Sequence, residues 1–285
     1  VKTKTVAIAG ASGLVGTYLS GYLQGYEILK ISRQDFILSN ELFAQKYCDA
    51  DFIINLTGAP IIRRWTRKNR KDILESRIIT TKKLGCILEH CPNRKRLILS
   101  TSAIGIYNDT DVHKENSLAF GAGFMADVVQ KWENEARQLE SQDTKICIMR
   151  LGVVLAGSGG MLGRLLPIFR LGLGARIGRG NQYFSWIHIE DVARIIARIL
   201  ENQSHGVYNL TAPEYSTNRD FTKALGRTVK RPALLVLPNV LLRLLYGSGA
   251  AAVTGGQAVI SGRLIEEGYQ FCYPTIEKAL ADIVN

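Results

Sequence analysis

Apolar and polar positions follow two rhythms in the first half of the chain. TVAIA (5–9), EILKIS (27–32), DFIINL (51–56), RLILS (96–100) and KICIMRL (145–151) are short, nearly unbroken apolar runs. Such runs suit parallel strands covered on both faces. Between them the apolar residues recur at helical spacing. Leu14, Tyr18, Leu19 and Tyr22 mark 14–24; Ile73, Leu74, Ile78, Leu84, Ile87 and Leu88 mark 66–90; shorter patterns cover 40–47 and 120–136. Strands alternating with helices predict βαβ units, and so an α/β fold of the Rossmann type with a doubly wound parallel sheet.

After Leu151 the rhythm breaks. Residues 152–186 are rich in glycine, with one helix expected around Met161–Leu171. EDVARIIARILEN (190–202) returns to the helical period, and GVYNLT (206–211) reads as a sixth strand. Short helices follow, one opening at Ser216 and one at Pro274. This divides the chain into a sheet unit, 1–154 and 188–211, and a smaller C-terminal substrate lobe, 155–187 and 212–285. The lobe is expected to face the sheet's carboxyl edge, where open α/β sheets bind ligands.

Composition adds bounds to this picture. With 285 residues, 46% of them hydrophobic, the chain can bury a large core. A net charge of +11 favours anionic partners, a phosphorylated cofactor among them, or else serves solubility. Cys48, Cys86, Cys91, Cys147 and Cys272 make no metal-ligand spacing, so no metal site is expected. Their odd number, with Cys147 in an apolar run, suggests reduced thiols in a reducing, cytoplasmic setting. No signal-peptide pattern opens the chain. The most apolar stretch, ALLVLPNVLLRLLYG (233–247), is interrupted by Pro238 and Arg243 and is too short to span a bilayer.

The sharpest local signal is GASGLVG, which places Gly10, Gly13 and Gly16 between a strand and a helix. Gly10 permits the tight turn, Gly13 lets backbone amides approach a pyrophosphate, and Gly16 lets the helix lie close to the sheet. Strand two ends in ISRQD. Arg33 offers a fork of donors for a 2′-phosphate and Ser32 adds a hydroxyl, so NADP(H) is favoured over NAD(H). Asp35 argues the other way but lies past the strand end.

GASGLVG, DFIINLTG, LSTSAIGIY and FSWIHIEDVARII, in this order, resemble the extended short-chain dehydrogenase/reductase superfamily. The stretches at 58–84, 159–188 and 255–280 are similar to its atypical YfcH-type subgroup, the "epimerase family" proteins with a DUF1731-like C-terminal segment. The resemblance covers nearly the whole chain and implies cofactor contacts from Gly10, Ser12, Gly13, Leu14, Val15 and Gly16. It extends them to Ser32, Arg33, Leu56, Thr57, Gly58, Ser100, Gly152 and Val153. Asn108 departs from the pattern, since a glycine usually follows this tyrosine.

The superfamily's acid–base pair, Tyr-x-x-x-Lys, is missing. On the helix that should carry it stand Phe124 and Val128 or, one residue on, Met125 and Val129, and Lys131 is off register. The literal match, Tyr26 to Lys30, lies in strand two, where four residues span about 13 Å instead of one helical turn. Ser102 and Tyr107 are left as candidate catalytic residues, Ser102 orienting a substrate and Tyr107 or water supplying a proton. Trp65, Arg77, Gln182, Trp186 and His188 are candidate substrate contacts, with Tyr183 as a further cleft residue. Glu115 and Glu133 are single carboxylates without an evident partner. RRWTRKNRK (63–71) is dense in positive charge but reads as a solvated helix face, so nucleic acid is not the expected partner. The expectation is a monomer or homodimer that binds NADP(H) and a small molecule, with no membrane partner. It is either an oxidoreductase or epimerase-like enzyme acting on a nucleotide-sugar or another small carbonyl or alcohol, or a non-catalytic NADP(H)-binding sensor or partner-binding module.

Overall fold

The computed structural model describes residues 3–284. Its centre is a six-stranded, all-parallel sheet: β1 (Thr5–Ala9), β2 (Glu27–Ile31), β3 (Phe52–Asn55), β4 (Arg96–Ala103), β5 (Thr144–Leu151) and β6 (Gly206–Leu210). The strands lie in the order β2-β1-β3-β4-β5-β6. The direction of winding reverses between β1 and β3, which opens a crevice above their carboxyl ends.

The unbroken apolar runs are explained by cover on both faces. Val6 and Ile8 of β1 enter one core with Leu19 of α1 (Leu14–Tyr22) and Val192, Ile195, Ile196 and Ile199 of the 189–202 helix. Ala7 and Ala9 point the other way. They join Phe43 and Tyr47 of α2 (Asn40–Tyr47) and Leu84 and Ile87 of α3 (Arg67–His90). Ala136 of α4 (Phe124–Arg137) belongs to the same core. All six expected strands are present. α4 starts later than expected, because residues 120–123 are held by an isolated bridge between Tyr107 and Phe120 and by the Gly121 amide on the Ile106 carbonyl.

A third core lies in the segments after Leu151. Leu162, Leu166 and Phe169 of α5 (Gly160–Arg170) pack with Phe184, Trp186, Phe221, Leu225, Ile276 and Leu280. Phe221 and Leu225 come from α7 (Asn218–Thr228), and the 189–202 helix is α6 (Ile189–Asn202). Asp191 of α6 is fully buried and accepts from the Cys272 and Tyr273 amides at 2.9 and 3.0 Å and from the Tyr269 hydroxyl at 3.1 Å. It ties segment 269–273 to the sheet unit.

The cysteines correct one expectation. Cys48 and Cys91 form a disulfide between the ends of α2 and α3, with Cα atoms 5.8 Å apart. The two helices pack side by side and finish together, which a separation of 43 residues conceals. Cys86, Cys147 and Cys272 are free. Among the described residues no helix is long and apolar enough to cross a membrane.

Candidate functional site

The β1–α1 turn is built for close approach. Gly10 has φ +82°, a conformation that side-chain-bearing residues rarely adopt. A Cβ there would lie 2.8 Å from the Leu56 carbonyl oxygen, and one on Gly16 would overlap the Gly10 carbonyl. Bare backbone thus brings β1, β3 and α1 together at the winding reversal. No side chain caps α1 and no acid lies in its first turn. By contrast, Ser39, Thr66 and Thr217 cap α2, α3 and α7. The free first-turn amides and the positive end of the α1 dipole leave an anion site here. The residues therefore fit a dinucleotide pyrophosphate.

Past the end of β2, Asp35 turns inward. Its carboxylate accepts from the Ser32 amide at 2.7 Å, the Ser32 hydroxyl at 2.5 Å and Lys46 Nζ at 2.5 Å. Burial works to raise its pKa, but Lys46 and Ser32 outweigh it and hold the carboxyl well below the usual range. Asp35 is spent on structure, while Arg33 stands exposed without an ion pair among the described residues.

From this turn a cleft of about 870 Å³ runs along the carboxyl edge of the sheet. Gly10, Gly13, Leu14, Val15, Gly16, Leu56, Thr57, Gly58, Gly152 and Val153 line it, as do Ser102, Tyr107, Trp65, Arg77 and Gln182. Away from the glycine turn one stretch of its wall is apolar: Ile61, Ile62, Trp65, Phe124 and Ala251–Val253. Trp65 meets Phe124 edge-on, with ring centres 5.0 Å apart, and the Arg70 guanidinium lies 5.1 Å from the Phe124 ring. Phe124 is thus part of an aromatic wall.

Arg77 and Asp109 are the charged residues of the lining. Arg77 is 6% exposed and donates to the Ile73 and Ala59 carbonyls, while its guanidinium stacks over Trp132. Burial, helped by nearby Arg63, lowers its pKa to about 10. The basic stretch is also used internally. Arg64 donates to the Leu244 carbonyl at 2.8 Å and Arg70 to the Ser248 hydroxyl at 3.3 Å, which fastens the 61–66 loop to the C-terminal segment.

Beneath the opposite end of the cleft lies a buried polar network. Arg150 of β5 stands in register with Ser102 of β4 on one side and Asn209 of β6 on the other. Its guanidinium grips Glu133 of α4 with two bonds, 2.7 and 2.8 Å. Ser102 Oγ donates to Glu133 Oε1 at 2.6 Å. Arg150 Nη1 donates to the Tyr107 hydroxyl at 2.7 Å, and that hydroxyl donates to Asn209 Oδ1 at 2.9 Å. Burial would raise the Glu133 carboxyl, but Arg150 and Ser102 outweigh it and hold it below the ordinary value. The Tyr107 pKa is raised, burial outweighing the pull of Arg150.

This network revises the catalytic candidates. Tyr107 is 1% exposed, and its hydroxyl proton has two acceptors inside the network, Asn209 Oδ1 at 2.9 Å and the Lys114 carbonyl at 3.2 Å. Ser102 has also committed its proton, to Glu133, and can only accept from a ligand. Glu133 has partners after all, and Glu115 accepts from the Asn209 and Arg263 amides. Trp186 is buried in the third core instead of the cleft. His188 caps α6 by accepting from the Glu190 amide, stacks on Tyr273 at 3.8 Å and lies 3.3 Å from Asp282. Burial lowers its pKa against the pull of Asp282. It too lies outside the lining, as do Ser12, Ser32, Arg33 and the buried Ser100.

Known proteins share this fold. Residues 6–211 match the NAD-dependent epimerase/dehydratase family, and 237–283 match a domain of unknown function, DUF1731. The chain belongs to the NAD-dependent epimerase/dehydratase family. It is 35% identical to the human epimerase family protein SDR39U1, covering 98% of this chain and 99% of that one. It is 37% identical to the epimerase family protein Mb2239 of Mycobacterium bovis, covering 96% of each. The crystal structure of human SDR39U1 (isoform 2) with NADPH superimposes with a TM-score of 0.89 at 33% identity, covering 98% of each chain.

Proposed function

We propose that this chain is an NADP(H)-dependent oxidoreductase or epimerase-like enzyme that works without the tyrosine–lysine pair. The observation that carries it is the uncapped, acid-free α1 N-terminus behind the Gly10–Gly16 turn, with Arg33 making no ion pair among the described residues and Asp35 withdrawn at the adenosine end. The NADPH named with the human SDR39U1 structure supports the same cofactor. In this reading residues 1–154 and 188–211 hold the dinucleotide, and 155–187 with 212–285 form the substrate lobe. When bound, the cofactor supplies hydride transfer. The chain's own residues bind and orient: α1 amides hold the pyrophosphate, Arg33 holds the 2′-phosphate, and Thr57, Gly58, Gly152 and Val153 shape the rest of the slot, while Ser32 has given both its donors to Asp35.

The wall beyond that slot favours an uncharged small carbonyl or alcohol over a nucleotide-sugar. Free cations would favour a second diphosphate, and the one cation in the lining, Arg77, is bound to backbone carbonyls. The proton comes from water in this reading, since the buried hydroxyls are committed. That same commitment favours a second reading, a non-catalytic NADP(H) sensor.

Titrating the wild type and Arg33→Ala with NADPH and NADH tests the cofactor assignment. NADPH should bind the wild type about tenfold more tightly than NADH, and Arg33→Ala should remove the difference. Equal affinities in both proteins refute NADP(H) selectivity. NADPH oxidation over a panel of apolar carbonyls then separates the readings: tight binding with no turnover on any of them selects the sensor.

A further inference from the structure

The second lobe carries an apolar surface turned the wrong way for a protein standing alone in water. Helix α8 (Asn239–Tyr246) exposes Val240, Leu241, Leu244 and Leu245, the last two 66% and 67% exposed, while Leu242 is buried. At 100° per residue the four exposed side chains span an arc of about 140°. A surface helix normally turns such a stripe inward. The strand before it, Leu235–Leu237, exposes Leu235 and Val236, and Leu234 ahead of it is 84% exposed. That strand pairs with Ala175–Ile177, and the register Leu235 to Ala175 brings exposed Leu173 to the end of the pair where Leu234 lies.

The segments that build this surface carry charge of one sign. No Asp or Glu occurs from Phe221 through Ile265, nor from Thr144 through Ile189. Lys223, Arg227, Lys230 and Arg231 line a hollow of about 370 Å³ with Leu234 at its edge. All four are exposed and make no ion pair among the described residues. Asp220, the nearest acid in sequence, is occupied in the α7 capping box with Thr217. Arg170 and Arg243 add two more exposed cations.

We propose that this face docks on anionic phospholipid bilayers, with the α8 and Leu234 side chains entering the interface and the Lys223–Arg231 hollow taking phosphate headgroups. Peripheral attachment needs two signals together, apolar insertion and a polybasic patch, and both are present here. A second copy of this chain fits less well. A twofold contact sets the same face against itself, cation against cation, with no acid in these segments to relieve the repulsion. The absence of a spanning helix is no obstacle, because a peripheral helix lies on the bilayer.

Flotation of the full chain with phosphatidylcholine vesicles, with and without about 30 mol% phosphatidylglycerol, tests the proposal. The anionic vesicles should retain it about tenfold better, and high salt should release it. Leu244→Ser/Leu245→Ser and Lys230→Ser/Arg231→Ser should each lower retention about tenfold while NADPH binding and the melting temperature stay unchanged. Weak and equal retention on both vesicle types overturns the proposal. So does light scattering that finds a dimer made monomeric by the leucine variant without vesicle binding, which assigns the face to a second copy. Binding to polyglutamate as tight as to vesicles, and indifferent to the leucines, points instead to an acidic protein and also overturns it.

Discussion

The Gly10–Gly16 turn and the Glu133–Arg150 network lie at two ends of one sheet edge and solve opposite problems. At the turn, side chains are removed so that backbone donors reach outward to an anion. In the network, charged side chains are brought inward and satisfy one another beneath the cleft floor. The first arrangement leaves donors free for a ligand; the second leaves almost none. The donors at the turn therefore do not depend on the groups at the other end of the cleft.

The comparison breaks most visibly at Arg150. Arg150→Met removes two of the bonds to the Glu133 carboxylate in a site 4% exposed, leaving it Ser102 and the half-exposed Arg137, and should cost about 3 kcal/mol of stability. Glu133→Leu/Arg150→Met removes both charges and should recover much of that loss, as urea melts of the single and double variants would reveal. The pair also sets an acid limit. Because the Glu133 pKa is lowered on folding, its stabilisation is fully present above the ordinary value of 4.5. It is lost as pH falls below that value through the folded pKa. The acid transition of Glu133→Leu/Arg150→Met should be correspondingly shallower in that window. Equal melts for the single and double variants, or an unchanged acid limb, separate the pair from these roles.

At the turn the expected loss is smaller in stability but more specific. Gly16→Val drives a branched side chain into the Gly10 carbonyl and should cost about 1–3 kcal/mol. NADPH affinity should fall about a hundredfold, because the α1 amides move away from the pyrophosphate. Arg150→Met, by contrast, should leave NADPH affinity of the folded fraction within about threefold. Calorimetric titration of both variants with NADPH makes the contrast direct. Similar losses in the two would mean that the ends of the cleft are not independent.

The two ends also differ in how far they could be read from sequence. The turn is local: its three glycines, the strand before and the helix after lie within one short stretch. The six strands were legible for a similar reason, since cover on both faces leaves each as an unbroken apolar run. The network is assembled from Ser102, Tyr107, Glu133, Arg150 and Asn209, which distant crossovers bring into register. One signal was present: Arg150 stands inside the apolar run KICIMRL, and a charge there needs a buried partner. The Cys48–Cys91 disulfide was hidden in the same way, by helix packing between distant segments. Trp186 and His188 were misplaced because the sequence put them beside the cleft without showing that a third core and the α6 cap would claim them.

The smallest expected effect decides what Tyr107 does. Tyr107→Phe removes one hydroxyl and leaves Arg150 Nη1 and Asn209 Oδ1 each short of a partner, a cost of about 1–2 kcal/mol. If Tyr107 only braces the floor, NADPH affinity and turnover on any accepted carbonyl should stay within about threefold of wild type, with an unchanged pH profile. A proton donor would behave otherwise: its loss should lower turnover by about a hundredfold or more and remove the alkaline limb of the profile. The geometry selects the first outcome: although Tyr107 borders the cleft, its hydroxyl faces Arg150, Asn209 and the Lys114 carbonyl within the network. A hundredfold loss with a normal melting temperature would instead mean that the network opens when substrate binds. The contrast between an outward-facing cradle and an inward-facing network would then hold only for the empty protein.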